Sequence, residues 1–540
     1  MSLVWSLALA LAPPPSAPPP PAAAARRDVA PVPAAPGDAP FDAQAYLREG
    51  PLAAALAARP GGLTADRIAE RAVAASPMVA VKESQIQAAA AQLDKTMYAF
   101  LPQVSGKIGY TRLSKADINF ANPGGVTVAG AGAPTQSGQT AALGPCMDNP
   151  LNICAYDTAT GASTGQVNLI AYGPSSLQIS IPLNSYSMQA QIALPISDYI
   201  LSLLPAKRGS QARRDAVALA RDAERVKVET DARLAYYNWL RTVAAVVAVE
   251  DSLRRVKARQ QDVANLFEAG AATKAEVMRI DAQIAQIEQA INDAATLRAT
   301  TEQALAIMLD DPRLEFVPGE DVIDLPPDLP NVGSLEAMIR EAQTSRLEMK
   351  SLEKSIGGLQ HGINATRAGY FPRLDGFAEA TYANPNQRFF PLEQKWRASW
   401  SVGLQLSYSM NQALNARAEI QTYKANKREM YAQAEALRRG IAMEVTQAYL
   451  ARNKALADLQ LSARALEAAV EAYRVASELF AAGSATTNDI IDAENDQLTA
   501  ILRIINTRID LRVANARLVY ATGRIKPSTI GNEAAPATRK

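Results

Sequence analysis

One turn occurs twice in this chain, and its surroundings leave few folds open. Leu266-Phe-Glu-Ala-Gly-Ala-Ala-Thr273 recurs as Leu479-Phe-Ala-Ala-Gly-Ser-Ala-Thr486, an offset of 213 (483 − 270). Glu276 then matches Asp489. A glycine after a helical run takes up the left-handed conformation that stops a helix. Thr273 or Thr486 then caps the next helix, with an acid three residues on. Each copy therefore predicts a helical hairpin. The first sits in a run without proline from Ala206 to Asp311, the second in a run from Leu392 to Lys526. A helix from Pro205 to Ala269 would be about 100 Å long at 1.5 Å per residue. Only side-by-side packing along its length stabilises such a helix, and the many alanines let neighbours approach closely.

The rest of each half also repeats. A helix is expected from Thr64, broken at Ser76-Pro77 and resumed to about Phe100; Leu101-Pro102 ends it. The period then changes from 3.6 to 2, with Val104, Gly106, Ile108 and Tyr110 on one face. Alternation returns with Met188, Ala190, Ile192 and Leu194. Leu177 to Leu183 alternates in the other phase. Between them lies a Gly/Asn/Pro/Ser/Thr-rich region that reads as a loop. After a proline-rich connector, 312–333, a helix from Ser334 ends at Phe371-Pro372, and strands follow near 372–383 and 396–409. In the last, Trp396, Trp400 and Tyr408 share a face opposite Arg397, Ser401 and Gln405. The expected organisation is a signal peptide over 1–25, a Pro/Ala-rich extension over 26–62 with one short helical candidate from Phe41 to Ala58, repeat 1 over 63–311 (strands near 101–113 and 177–195), the connector, repeat 2 over 334–524, and a disordered tail over 525–540.

Composition narrows function. The formal net charge of +1 gives no reason to expect nucleic acid, and the single histidine, His361, leaves little room for His-based catalysis or His-rich metal sites. Neither a nucleophile motif nor a phosphate loop is present, so we expect neither enzyme activity nor a cofactor. Cys146 and Cys154, the only cysteines, are candidates for a local disulfide, with two free thiols as the alternative.

Strands of about ten residues with one apolar and one polar face suit an outer-membrane barrel. Four strands do not close one, and an open edge is not tolerated in lipid. A cyclic assembly of identical subunits resolves both difficulties, with Trp396, Trp400 and Tyr408 toward lipid. The alternative is a soluble helical coiled-coil scaffold whose hairpins bury one face.

From Leu63 to Thr522 this organisation resembles the TolC family of outer-membrane factors. The residues that carry the resemblance are Leu63 to Pro77, Leu101-Pro102, Phe371-Pro372, and Ala482 to Asp492, which is similar to the family's second periplasmic turn. The resemblance implies a mainly α chain with a membrane β-barrel portion. It implies a homotrimer that shares a twelve-stranded barrel and a twelve-helix tunnel, docking to a periplasmic adaptor and an inner-membrane pump. Transport through it would be passive, for efflux or type I secretion. The docking turns would be Gly270, Ala271, Thr273, Gly483, Ser484 and Thr486. Asp489 and Asp492 match acids that line the periplasmic constriction, with Glu276 and Phe480 beside them. At the family's latch, the tyrosine and arginine positions hold Phe480 and Ala485, which lack those donors, and the threonine and aspartate positions hold Ala275 and Glu276. A closed state held by packing is therefore expected.

Overall fold

The computed structural model describes residues 42–114, 117–122, 125–129, 141–172, 175–180, 182–324, 333–390 and 392–525. The expected signal peptide and the tail beyond Ile525 lie outside them.

Two short helices come first, α1 (Ala43–Glu49) and α2 (Pro51–Leu56). Both fall within the helical candidate Phe41 to Ala58. The stretch is packed rather than a linker or poorly ordered, because Leu47, Leu52 and Leu56 are placed to enter the main core. A run of alanines and prolines masks such sparse anchors. Next, α3 (Ala65–Ala75) is capped by the Thr64 hydroxyl, which accepts from the Arg67 N–H at 3.2 Å. The hydroxyl of Ser76 caps α4 (Pro77–Tyr98) in the same way.

β1 (Gln103–Arg112) follows. The Gly/Ser/Thr-rich region then departs from the expected loop, forming β2 (Asp117–Asn122), β3 (Gly125–Ala129), β4 (Ala141–Pro145), β5 (Ile153–Asp157), β6 (Ser163–Gln166) and β7 (Asn168–Tyr172), whereas β8 (Ser175–Ser180) falls at the start of the strand expected near 177–195. β2 pairs with β8, β3 with β7, and β4–β5–β6 form a small sheet beyond them. Cys146 and Cys154 form a disulfide within this small sheet. β9 (Asn184–Leu194) returns along β1. Arg112 pairs with Asn184, a positional sum of 296, whereas Asp117 pairs with Ser180, a sum of 297. This one-residue slip explains the opposite phase of 177–183, since a slip of one exchanges the faces of a strand.

A short α5 (Ile196–Asp198) and a π-helical turn (Tyr199–Leu203) lead into α6 (Leu204–Glu268), which turns into α7 (Lys274–Met308). In the second half, α8 (Leu335–Ser345) and α9 (Leu347–Thr366) precede β10 (Arg373–Asn384) and β11 (Arg397–Ser407). The long α10 (Met410–Ala481) and α11 (Thr487–Ala521) complete the chain. The two halves share one antiparallel sheet in the order β1-β9-β10-β11, so β1 and β11 are its edges.

The main core lies midway along the hairpins. Tyr236, Trp239 and Leu240 of α6 are fully buried there against Leu56, Ile68, Leu305, Ile504 and Ile509. It is a layer in which the N-terminal helices, the connector and both hairpins meet. Below it, toward the turns, Val256, Val263, Ile280, Ile284 and Ile491 form a separate cluster.

Candidate functional site

Two regions of the molecule have chemistry that points outward: the four-stranded sheet and the paired turns at the other end of the helices.

In an antiparallel ladder, residues in register lie on the same face. Val104 pairs with Ile192, Ile192 with Ala378, and Ala378 with Val402. Ile108, Met188, Tyr382 and Ala398 form a second such row. The apolar faces of all four strands therefore merge into one. This face is uncovered: Ile108 is 80% exposed, Trp400 75%, and Val402, Leu404 and Leu406 each 70%. Ser105, Gln191, Glu379 and Ser401 form a row of the opposite, polar face. One end of the apolar face carries an aromatic row. The Tyr110 and Tyr186 rings lie 5.0 Å apart, Tyr186 and Trp396 6.2 Å, and Tyr382 and Trp396 5.0 Å. Trp396 sits one residue ahead of β11 and pairs by ring contact. The sequence did not disclose this row, because its members come from four strands and only the register aligns them. At the other end Tyr408, Phe371 and Leu101 are exposed. From Trp396 to Tyr408 the strand covers about 40 Å, or about 28 Å in height at a tilt of about 45°.

At the far end both turns have the same hydrogen-bonded stop. The Ala271 N–H donates to the Leu266 carbonyl at 2.8 Å and the Gly270 N–H to the Phe267 carbonyl at 3.0 Å. Ser484 to Leu479 and Gly483 to Phe480 repeat both bonds at the same distances. This is the Schellman pattern, with the glycine left-handed at φ 75° in one turn and 72° in the other. Reciprocal caps follow. The Glu276 carboxylate accepts from the Thr273 N–H at 2.6 Å, and the Asp489 carboxylate from the Thr486 N–H at 2.8 Å. These bonds, with those from the threonine hydroxyls, hold both carboxyls below the usual carboxylate range. Gly270, Ala271, Thr273, Gly483, Ser484 and Thr486 are all exposed, as are Asp489 and Asp492. Asp492 stands one helical turn beyond Asp489.

Phe480 packs into the lower cluster. Its ring also lies 5.2 Å from the Arg259 guanidinium of α6, within cation–π range. One turn earlier, Arg255 Nε lies 3.7 Å from Glu494 Oε1 of α11. Glu494 is 2% exposed, and burial pushes its carboxyl up while Arg255 and Arg259 oppose that shift. Gln283 of α7 donates to Asn495 of α11 at 3.0 Å. The two hairpins are thus fastened together above the turns by Arg255, Arg259 and Gln283. Nothing in the local sequence singled these residues out; charged residues on long helices read as solvated faces. Ala485 and Ala275, at the expected latch positions, offer no side-chain hydrogen bond.

Residues 338–524 match the family model described as "Outer membrane efflux protein". No curated protein sequence matches the chain. Solved structures similar to it include the outer-membrane channel OprN, at 16% identity and a TM-score of 0.61, covering 85% of this chain and 89% of that one. CusC, whose structures concern folding and transmembrane channel formation, is similar at 14% identity and a TM-score of 0.62, covering 85% and 92%. The CmeC outer membrane channel of Campylobacter jejuni is similar at 15% identity and a TM-score of 0.61, covering 85% of each chain. Residues 338–524 are thus similar to outer membrane efflux proteins, and over 85% of its length the chain has the fold of these outer-membrane channels.

Proposed function

We propose that this chain is the outer-membrane exit duct of a tripartite efflux or type I secretion assembly. One observation carries the reading: a single uncovered apolar face runs across a four-stranded sheet that ends in two edge strands. In water such a face is costly at about 25 cal/mol per Å². In a bilayer it is the stable outer wall of a barrel, and its height of about 28 Å suits the apolar band of about 25 Å. The aromatic row at one end and Tyr408 at the other occupy the two interfaces, where amphipathic rings are favoured. Trp396, Trp400 and Tyr408 then face lipid, and Ser401 and Gln405 face the lumen. A soluble scaffold would need a partner surface over this face.

Edge β1 of one copy and edge β11 of the next remain to be joined, because unpaired edges are not stable in hydrocarbon. Cyclic closure by three copies gives twelve strands, and the hairpins below extend the wall into the periplasm. Purified protein in detergent is expected to be trimeric and to conduct ions in liposomes. A folded monomer in plain buffer, with no conductance, would reject the duct.

The turns lie at the far end of the helices, where a periplasmic adaptor carrying an inner-membrane pump would dock. Ala271→Trp and Ser484→Trp add bulk at exposed turn positions without touching Gly270 or Gly483. Export is expected to fall to background while trimers remain in the membrane. Normal export from both variants would remove the turns as the docking surface. Asp489 and Asp492 in each of three copies would ring the periplasmic end, with Glu276 and Phe480 close by.

A further inference from the structure

A cavity of about 250 Å³ lies where the sheet gives way to the long helices. Both repeats build it: residues 197–202 ahead of α6, residues between 365 and 373 from α9 into β10, and residues between 412 and 419 at the start of α10. Its volume approaches the lower end of small-molecule sites, about 300 Å³. The wall beside it is closely packed rather than loose. A Cβ on Gly369 would stand 2.8 Å from the Ala416 Cβ, so only glycine lets α10 come this near. The Leu374 N–H donates to Ser197 Oγ at 3.0 Å, which ties the start of β10 to the bend before α6.

The lining divides by chemistry. Leu201, Ala365 and Ala416 supply apolar surface, whereas Gln412, Asn415 and Glu419 form one stripe of α10 at spacings of three and four. Arg373 is the only cation in the lining. Its Nε lies 2.8 Å from Asp375 Oδ1 and 3.5 Å from Asp198 Oδ2, so its charge is already matched. Glu419 has no ion-pair partner among the described residues. Asp198 and Glu419 against Arg373 leave the lining a net charge of −1 (−2 + 1). Arg373 pairs with Ser407 and Asp375 with Gln405, on the polar face of the sheet. The recess therefore opens toward the side that becomes the channel in the proposed assembly.

We propose that this recess binds an organic cation with a small apolar body, a primary alkylamine carried by an aromatic ring system being the simplest case. The ammonium meets the Glu419 carboxylate and the side-chain oxygens of Gln412 and Asn415, while the ring lies on Leu201 and the two alanines. Its place on a transport route rests on the duct reading; the binding itself does not. Three probes share one ring system and differ in charge: tryptamine (cation), tryptophol (neutral) and indole-3-acetate (anion). Titration calorimetry on the purified full chain in detergent should rank them in that order. Glu419→Gln, at an exposed helical position, should weaken tryptamine about tenfold and bring it level with tryptophol. Asn415→Phe, also exposed, should fill the recess and remove binding of all three. Indole-3-acetate binding as tightly as tryptamine, no binding by any probe, or tryptamine binding unchanged in both variants would each overturn the proposal. Conductance read on the same preparation separates the two claims. Binding without conductance rejects the duct and keeps the recess; conductance without binding does the reverse.

Discussion

Val402→Arg is expected to abolish recovery of trimers from the outer membrane, whereas Ser401→Arg, one residue away, is expected to leave recovery near normal. Val402 lies in the middle of β11, opposite Ala378, and is 70% exposed. An arginine on the lipid face near the bilayer midplane costs about 2–4 kcal/mol, and three copies bring it in at once. Ser401 lies opposite Glu379 on the polar face, where a guanidinium would find water and a carboxylate. The contrast discriminates because the exposed position is the intolerant one. In a protein surrounded by water, a charge at a 70% exposed position changes stability very little. Labelling gives the same test without a charge. A water-soluble maleimide should reach Ser401→Cys in preference to Trp400→Cys in intact trimers. Equal yields from the two arginine variants, or faster labelling at 400 than at 401, would reject the barrel face.

Local rules wrote much of this architecture into the sequence. The hairpin turns were legible because the glycine and the capping threonine–acid pair act over a few residues, and the structure has both in each copy. Strand phase was legible for the same reason, since alternation is a property of one strand at a time. Long-range placement was not. The aromatic row is assembled by register across β1, β9, β10 and β11, and no window on the sequence contains more than a quarter of it. The helical candidate Phe41 to Ala58 was legible, but its docking was hidden because three leucines, Leu47, Leu52 and Leu56, carry the attachment in a stretch dominated by alanine and proline. The fastening of Phe480 by Arg259 was equally hidden, since the partners are 221 positions apart (480 − 259). The expectation concerned a closed state held by packing, and the cation on the Phe480 ring is a separate contact between the hairpins. The small strands β2 to β7 read as loop because glycine, serine and threonine dominate there, and pairing between distant segments overrides so weak a preference.

Replacing Asp489 and Asp492 together should weaken cation selectivity and lower block by a multivalent cation on the order of tenfold. Both side chains are exposed near the start of α11. In a threefold assembly each would form a ring of three carboxylates, which raises the local concentration of cations. The cap complicates the choice of variant. The Asp489 carboxylate accepts from the Thr486 N–H and hydroxyl, both at 2.8 Å, so alanine would remove a helix cap and a charge together. Asparagine keeps a side-chain oxygen for the cap and removes only the charge. The informative comparison is therefore Asp489→Asn with Asp492→Asn beside Asp489→Ala with Asp492→Ala. If the acids act through their charge, both pairs lose selectivity alike. If they act as helix-start residues, the asparagine pair behaves as the parent and the alanine pair alone is altered, through a looser turn. Acid titration adds a second reading. The cap holds the Asp489 carboxyl below its ordinary value, so its contribution to stability is fully present above that ordinary value and is lost as the pH falls through the lowered one. Repulsion within a ring works the other way and favours protonation at higher pH. Block that fades on acidification while the trimer is still intact would mark the ring; block that persists until the turn itself loosens would mark the cap.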